Sequence, residues 1–182
     1  MRVIAGSARG RKLRCLDDKR IRPTQDRVKE AVFSSLAARL PGSTVLDLFA
    51  GSGALGIEAL SRGAGGAVFV EIDHLACDLI KSNLSSCGWP LSPEIQVVHR
   101  EAVRWLKKPP DRAFDIILAD PPYNKGFEES VLNALSAGGL LAPEGVLVLE
   151  SGARQDLPEG AGGLHLWKSK VYGDTKISYY VV

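Results

Sequence analysis

The sequence predicts an α/β fold: a mostly parallel seven-stranded sheet ending in an antiparallel hairpin, preceded by a small basic β-hairpin. Three observations predict it. Short apolar runs rich in Val, Ile, Leu and Phe recur, each followed by a turn and a helical pattern, as parallel strands with crossover helices require. The stretch T-V-L-D-L-F-A-G-S-G-A-L-G over 44–56 reads as a buried strand, a glycine turn and a helix start. The chain then finishes in two strand-like runs, 164–172 and 175–182, joined by Gly173-Asp174.

A length of 182 residues suits one domain with a small appendage, divided here into a hairpin and linker over 1–22 and a main domain over 23–182. A composition of 45% hydrophobic and 24% charged residues argues against both a disordered chain and a membrane protein. No apolar run approaches the roughly 20 residues that cross a bilayer, and the apolar start is too short for a signal peptide. Cys15, Cys77 and Cys87 are odd in number and lack metal-ligand spacing. They read as reduced thiols of a cytoplasmic protein. With His74, His99 and His165 scattered, no metal site is expected.

Charge is unevenly placed. Residues 1–40 carry 11 Lys/Arg against four Asp/Glu, a balance of +7. The remainder carries 12 against 17, a balance of −5, which together give the overall +2. A basic front segment on an acidic domain points to a polyanionic partner.

In chain order, residues 1–4 and 12–16 read as two strands around Gly6-Ser7-Ala8-Arg9-Gly10, with Arg9, Arg11, Lys12 and Arg14 close together. Residues 17–22 form a polar linker. Pro23 turns Arg22 away from helix, and Thr24 caps a helix whose apolar face is Val28, Ala31, Val32, Ser35, Leu36 and Leu40, with Arg22, Arg27 and Lys29 on other faces. Strands are expected over 45–49, 67–72, 95–99, 114–119 and 145–150. Ser52, Asp73 and Glu101 stand where helices begin, and a further helix covers 127–137.

The glycine turn permits two chemistries. Gly51, Gly53 and Gly56 fit the dinucleotide pattern Gly-x-Gly-x-x-Gly, and Glu71 follows Gly51 at the distance of a ribose-binding acid. Two features turn the reading away from a nicotinamide enzyme. Asp47 lies in the strand before the turn, where a carboxylate repels a pyrophosphate and suits a cation. Asp120-Pro121-Pro122-Tyr123 also follows a strand, and hydride transfer gives it no role. Together, Asp-x-Phe-x-Gly-x-Gly and Asp-Pro-Pro-Tyr resemble the Rossmann-like class I methyltransferases that use S-adenosylmethionine.

On that resemblance, the turn at Phe49, Gly51 and Gly53 cradles the methionyl part of the cofactor, with Asp47 nearby. Glu71 accepts from the ribose hydroxyls, Ile72 lines the adenine, and Glu101-Ala102 holds its amino group. Asp73 reads as a helix cap, a role Glu101 could equally have. Asp120 and the Pro121 carbonyl would accept hydrogen bonds from an exocyclic amine, aiming the nitrogen lone pair at the methyl group. Pro121 and Pro122 fix those acceptors, and Tyr123 stacks on a base taken out of its helix. No cysteine stands where a carbon-5 pyrimidine enzyme needs its nucleophile.

The segments R-V-I-A-G-x-x-R-G-R-K-L, R-P-T-x-D-R-V-K-E-A-V-F, D-L-F-A-G-S-G-A-L-G-I-E-A-L-S-R-G-A, A-D-P-P-Y and V-Y-G-D-T, in this order, resemble the RsmD-type family. Where Ser34 or Ser35 falls, that family commonly has Asn. The resemblance implies transfer of methyl to N2 of a guanine in 16S ribosomal RNA, within a small-subunit particle. It also implies that the front hairpin meets RNA through Arg9, Arg11 and Lys12, and that Arg22, Thr24 and Arg27 border the cofactor pocket, with the two arginines near RNA. A DNA adenine-N6 methyltransferase uses the same tetrapeptide, but the chain is short for a separate target-recognition domain. A non-catalytic RNA-binding assembly factor would have no need of Asp47, Gly51, Gly53, Glu71 and Asp120 together.

Overall fold

A computed structural model describes residues 1–16, 23–109, 111–123 and 125–182, with backbone alone for 23–25. The elements are α1 (Pro23–Ser35), β1 (Thr44–Leu48), α2 (Ala54–Ser61), β2 (Gly66–Glu71), α3 (His74–Ser86), β3 (Ile95–His99), α4 (Ala102–Leu106), β4 (Phe114–Ala119), α5 (Phe127–Ser136), β5 (Leu141–Gly152), β6 (Gly160–Ala161), β7 (Leu164–Tyr172) and β8 (Thr175–Val181). They form one sheet in the order β3-β2-β1-β4-β5-β8-β7-β6. β1 to β5 are parallel, and β8 runs antiparallel to both β5 and β7. The expected seven strands are present, and the two-residue β6 adds an eighth at the edge. β5 outruns its expected bounds because it pairs with β4 from Leu141 and with β8 as far as Gly152↔Thr175. The order reverses between β1 and β4, the switch point where open parallel sheets hold ligands.

Both faces of the sheet are covered, which explains the nearly continuous apolar strands. Alternate residues point to opposite faces. Val45, Phe69, Ile116, Val148 and Tyr179 pack in one cluster with residues of α1, α2 and α3. Leu46, Leu48, Val70, Ile117, Leu147 and Tyr180 pack in the other with residues of α4 and α5.

The front segment differs from the expected two-stranded hairpin. It forms a single bridge pair, Arg2↔Lys12, flanked by bonds from Val3 N to Arg11 O and from Leu13 N to Met1 O, both 2.9 Å. Gly10 N adds a bond to Val3 O at 2.9 Å, but several other backbone groups turn to α2 instead of to a partner strand. Ile4 N and Ala5 N donate to Glu58 at 2.8 and 3.0 Å, and Ala8 N donates to Ser61 Oγ at 3.0 Å. Gly6 makes the contact possible, since a Cβ there would lie 1.7 Å from the Ser61 carbonyl oxygen. Val3, Ala8 and Leu13 are buried in the same cluster as α1 and α2. Residues 1–16 therefore share the main core.

A buried ion pair locks this joint. Glu58 is fully buried and lies 3.3 Å from Lys29 Nζ and 2.8 Å from Arg62 Nε. Lys29, expected on an outer face of α1, is also buried and donates to the Arg2 carbonyl at 2.6 Å. Burial lowers its pKa, and Glu58 opposes the shift. Removing one member of such a pair costs about 3–5 kcal/mol. The expected linker over 17–22, including Arg22, and the Thr24 cap lie outside the described residues and side chains.

Candidate active site

Glu71 at the end of β2, Asp120 just after β4 and Glu150 near the end of β5 stand with the glycine turn along the carboxyl edge of the sheet, and Glu71 bonds that turn. On the β1–β2 side, the turn is held by backbone bonds. Phe49 has φ of +60°, the one non-glycine residue with positive φ among those described. A bulky side chain in that region stores strain, which is common where a loop is shaped for a ligand. Gly51 and Gly53 follow with φ of +54° and +77°. Gly53, in left-handed conformation, takes the cap position of α2. Ser52, expected to cap that helix, makes no cap bond, and its hydroxyl faces Met1 Sδ at 3.8 Å.

Glu71 is buried, and its carboxylate accepts three backbone hydrogen bonds: Gly51 N at 2.7 Å, Ile72 N at 2.7 Å and Asp73 N at 2.8 Å. It thereby fastens the glycine turn to the end of β2. Asp47 is 1% exposed beneath the turn, and its Oδ2 accepts from Gly56 N at 2.8 Å. Burial pushes its carboxyl up to about 8, partly offset by the Gly56 bond and reinforced by Glu71. Burial thus works against the anion expected of Asp47 beside a cationic ligand.

Asp73 caps α3, accepting from Leu75 N and Ala76 N. Glu101 caps α4, accepting from Val103 N at 2.8 Å and Arg104 N at 2.7 Å. Ala102 is buried in the cluster that holds Trp105 and Leu106. Ile72 is 63% exposed at the mouth of the turn. His99 Nε2 lies 2.8 Å from the Ile72 carbonyl oxygen, and its ring meets His74 edge-on at 5.6 Å.

The β4–β5 side is built from side chains. Asp120 follows β4, then Pro121, buried, and Pro122, exposed. Tyr123 is 37% exposed, and its hydroxyl donates to Glu150 Oε1 at 2.6 Å. Thr175 Oγ1, at the start of β8, lies 3.1 Å from the same hydroxyl. Asp120 is exposed in area, although protein atoms crowd around its carboxyl. That crowding, then Glu150, then Asp47 raise its pKa well above the usual carboxylate range, an effect tempered by the water that reaches it. Burial raises Glu150 as well, against the Tyr123 bond. Burial and then the bond to Glu150 push the Tyr123 phenol up, so it stays protonated. Perturbed acids gathered in a cleft mark a functional site.

Glu150, Thr175 and Phe127 were not singled out in the sequence. The ring of Phe127 packs 5.4 Å from that of Phe49. Glu150 carried a usable signal: V-F-V-E ends at Glu71, I-L-A-D at Asp120 and L-V-L-E at Glu150, an acid at the same end of each strand. Asn83 was missed too. It is buried in α3 and bonds Arg14 N at 2.9 Å, Arg14 O at 3.0 Å and Ser52 O at 2.9 Å. It ties the front segment to the glycine turn. Arg9, Arg11, Lys12 and Arg27 are exposed.

This sheet order, with the last strand inserted antiparallel between β5 and β7 and the glycine turn beside Asp-Pro-Pro-Tyr, is that of the Rossmann-like methyltransferases that use S-adenosylmethionine. The chain belongs to the family described as Conserved hypothetical protein 95, which matches residues 1–181. It is 37% identical over 180 residues to ribosomal RNA small subunit methyltransferase D of Escherichia coli, covering 99% of this chain and 89% of that protein. It is 38% identical over 152 residues to the protein of the same name from Haemophilus influenzae, covering 83% and 78%. The solved structure of TTHA0928, a hypothetical protein of Thermus, superposes with a TM-score of 0.84 at 31% identity, covering 100% of this chain and 99% of that one. Among the described residues, no helix is long and apolar enough to cross a membrane.

Proposed function

We propose that this chain transfers a methyl group from S-adenosylmethionine to the exocyclic N2 amine of a guanine in 16S ribosomal RNA, within a small-subunit particle in the cytoplasm. The observation that carries the reading is the Asp120-Pro121-Pro122-Tyr123 turn set beside the glycine turn, in a chain whose relatives are named ribosomal RNA small subunit methyltransferase D.

The turn suits the cofactor. A Cβ built on Gly51 would meet nothing nearer than the Phe49 carbonyl oxygen at 4.0 Å, so the backbone is open to a ligand there. Phe49, Gly51 and Gly53 would hold the methionyl part, and exposed Ile72 the adenine. Glu71 has one lone-pair direction left for a ribose hydroxyl, since three are taken by amides. S-adenosylmethionine supplies an electrophilic methyl group on a positively charged sulfur.

The chain's own residues present the amine. A guanine amine is a poor nucleophile because its lone pair is delocalised into the ring. Ionised Asp120 accepts one of its hydrogens, the Pro121 carbonyl accepts another, and the lone pair is left directed at the methyl group. As the N–C bond forms and the S–C electrons stay with sulfur, the surplus proton passes from nitrogen to an Asp120 oxygen and on to water. A raised carboxyl pKa makes Asp120 the stronger base for that step. Tyr123, held by Glu150 and Thr175, offers its ring to the base. Arg9, Arg11, Lys12 and Arg27 contact phosphates.

The test is incubation with methyl-labelled S-adenosylmethionine and, separately, 30S particles, naked 16S RNA and DNA, followed by digestion. The expected product is N2-methylguanine from ribosomal RNA. Label in N6-methyladenine, or none in any substrate, overturns the reading.

A further inference from the structure

The C-terminal hairpin starts inside the pocket, where Thr175 touches Tyr123, and leads away from it along β7. In the β7–β8 register, Tyr172 stands opposite Thr175, Lys170 opposite Ile177 and Lys168 opposite Tyr179. Ile177 and Tyr179 belong to the cluster under α1, so these β7 side chains share that face. Lys168 Nζ donates to Ser35 Oγ at the end of α1, at 2.7 Å, and lies 4.0 Å from the Trp167 ring and 4.6 Å from the Tyr179 ring. Trp167 itself is 50% exposed, held edge-on to Tyr179 at 6.2 Å. Lys170 is exposed and sits 5.4 Å from the Tyr172 ring.

Two aromatic rings thus flank two lysines over roughly 16 Å of one strand, from Trp167 to Tyr172, the cross-strand partner of the Thr175 that braces Tyr123. Proteins that hold single-stranded nucleic acid combine these two features: rings on which bases stack, and cations that follow the phosphates. Trp167 is half exposed, and the register of the hairpin links its strand through Tyr172 and Thr175 to Tyr123. We propose that Trp167, Lys168, Lys170 and Tyr172 form a second RNA-contact strip that holds unpaired nucleotides flanking the target base. Trp167 stacks on a base, and Lys170 meets a phosphate. The proposal rests on the reading that RNA is the substrate.

A structural explanation competes with it. Among the described residues, β6 covers β7 only at Leu164 and His165, and lysines on an open edge discourage pairing with another copy. The two explanations separate in Trp167→Ala, Trp167→Phe and Lys170→Ala variants of the full chain. RNA affinity is measured across a salt series, together with S-adenosylhomocysteine affinity, kcat at saturating RNA, melting temperature and light scattering. Loss of one stacked base weakens RNA binding about five- to a hundredfold in Trp167→Ala, while Trp167→Phe keeps most of the affinity. Lys170→Ala flattens the slope of log affinity against log salt by about 0.7. Cofactor affinity and saturated kcat stay as in wild type. If wild type methylates RNA and all three variants bind it with wild-type affinity and slope, the strip is not an RNA surface and only the proposal falls. The same holds if Trp167→Ala changes only the oligomeric state. If wild type transfers no methyl to RNA yet binds it through Trp167, the strip stands and the reading of the active site fails.

Discussion

The two walls of the pocket use their acids in opposite ways. On the β1–β2 wall, Glu71 and Asp47 direct their oxygens at backbone amides, four bonds between 2.7 and 2.8 Å. On the β4–β5 wall, Glu150 binds a side chain, the Tyr123 hydroxyl at 2.6 Å, and Asp120 is exposed. Amide-bound carboxylates fix the shape of a loop. Carboxyls with raised pKa values hold or move protons where a ligand or water reaches them, as at Asp120, whereas the raised Asp47 is sealed beneath the turn. The first wall is therefore built to place a ligand and the second to act on one, and mutations on the two walls should separate binding from turnover.

The sharpest separation is expected at Asp120. Asp120→Ala removes the acceptor for the substrate amine and the base for its proton. A single-turnover rate about a hundred- to ten-thousandfold lower is expected, as for loss of a positioned base, with S-adenosylhomocysteine affinity near wild type. Equal loss of affinity would show that the wall also holds the cofactor. The opposite pattern is expected at Glu71. Glu71→Ala strands three amides and should weaken S-adenosylhomocysteine binding about ten- to a hundredfold, the loss of a charged hydrogen bond. It should also lower the melting temperature in the absence of ligand, because the carboxylate binds the protein's own loop. Calorimetry and a melt together test this. An unchanged melt would assign Glu71 to the ligand alone.

The sequence displayed the first wall more fully than the second. Glycine spacing and apolar runs are local signals, and they placed the turn, the strands and the Asp73 cap correctly. Glu101 was legible only as an ambiguity, since an acid after a strand suits a cap and a ligand equally; in this fold its carboxylate caps α4. The β4–β5 wall depends on contacts across 27 residues from Tyr123 to Glu150 and across 52 from Tyr123 to Thr175. No periodicity records such pairings. The front segment misled for a related reason. Alternating residues suggested two strands, but Glu58 and Ser61, far along the chain, take up the backbone groups that a second strand would use. Likewise a lysine on a helix reads as solvated until its buried partner Glu58 is known.

Glu150 sharpens the comparison further. Glu150→Gln keeps an acceptor for the Tyr123 hydroxyl but removes a negative charge beside Asp120. Trading a charged for a neutral hydrogen bond costs about 1 kcal/mol, roughly fivefold in kcat/KM. The pH profile is the telling readout. Asp120 must be ionised to accept from the amine, and Glu150 raises its pKa. Without that charge, the acid limb of the kcat/KM profile moves to lower pH. Thr175→Val loosens Tyr123 and removes a bond that holds the Glu150 pKa down, so it should move the limb far less than Glu150→Gln does. An unmoved limb in Glu150→Gln would show that the two carboxyls do not interact in the working enzyme.

The smallest effect on turnover is expected at Asp47, and there the readout is stability. Its folded pKa of about 8 lies above the ordinary 3.8. Below about pH 4 the carboxyl is protonated in the folded and the unfolded chain, and its contribution is complete. Between about 4 and 8 the unfolded chain ionises while the folded one keeps its proton, so stability is lost as pH rises, and the loss levels off above about 8. Asn is close in shape to the protonated acid, with one acceptor for Gly56 N and one donor group, and it does not titrate. Asp47→Asn should therefore melt near wild type at pH 4.5 and above it at pH 8.5, by about 2–4 °C for each kcal/mol of linkage relieved. Cofactor affinity at pH 7 should hardly change, because the wild-type residue is already mostly neutral there. Parallel melting curves across this range would mean that Asp47 is ionised throughout, and a large loss of cofactor affinity would place its charge back at the ligand.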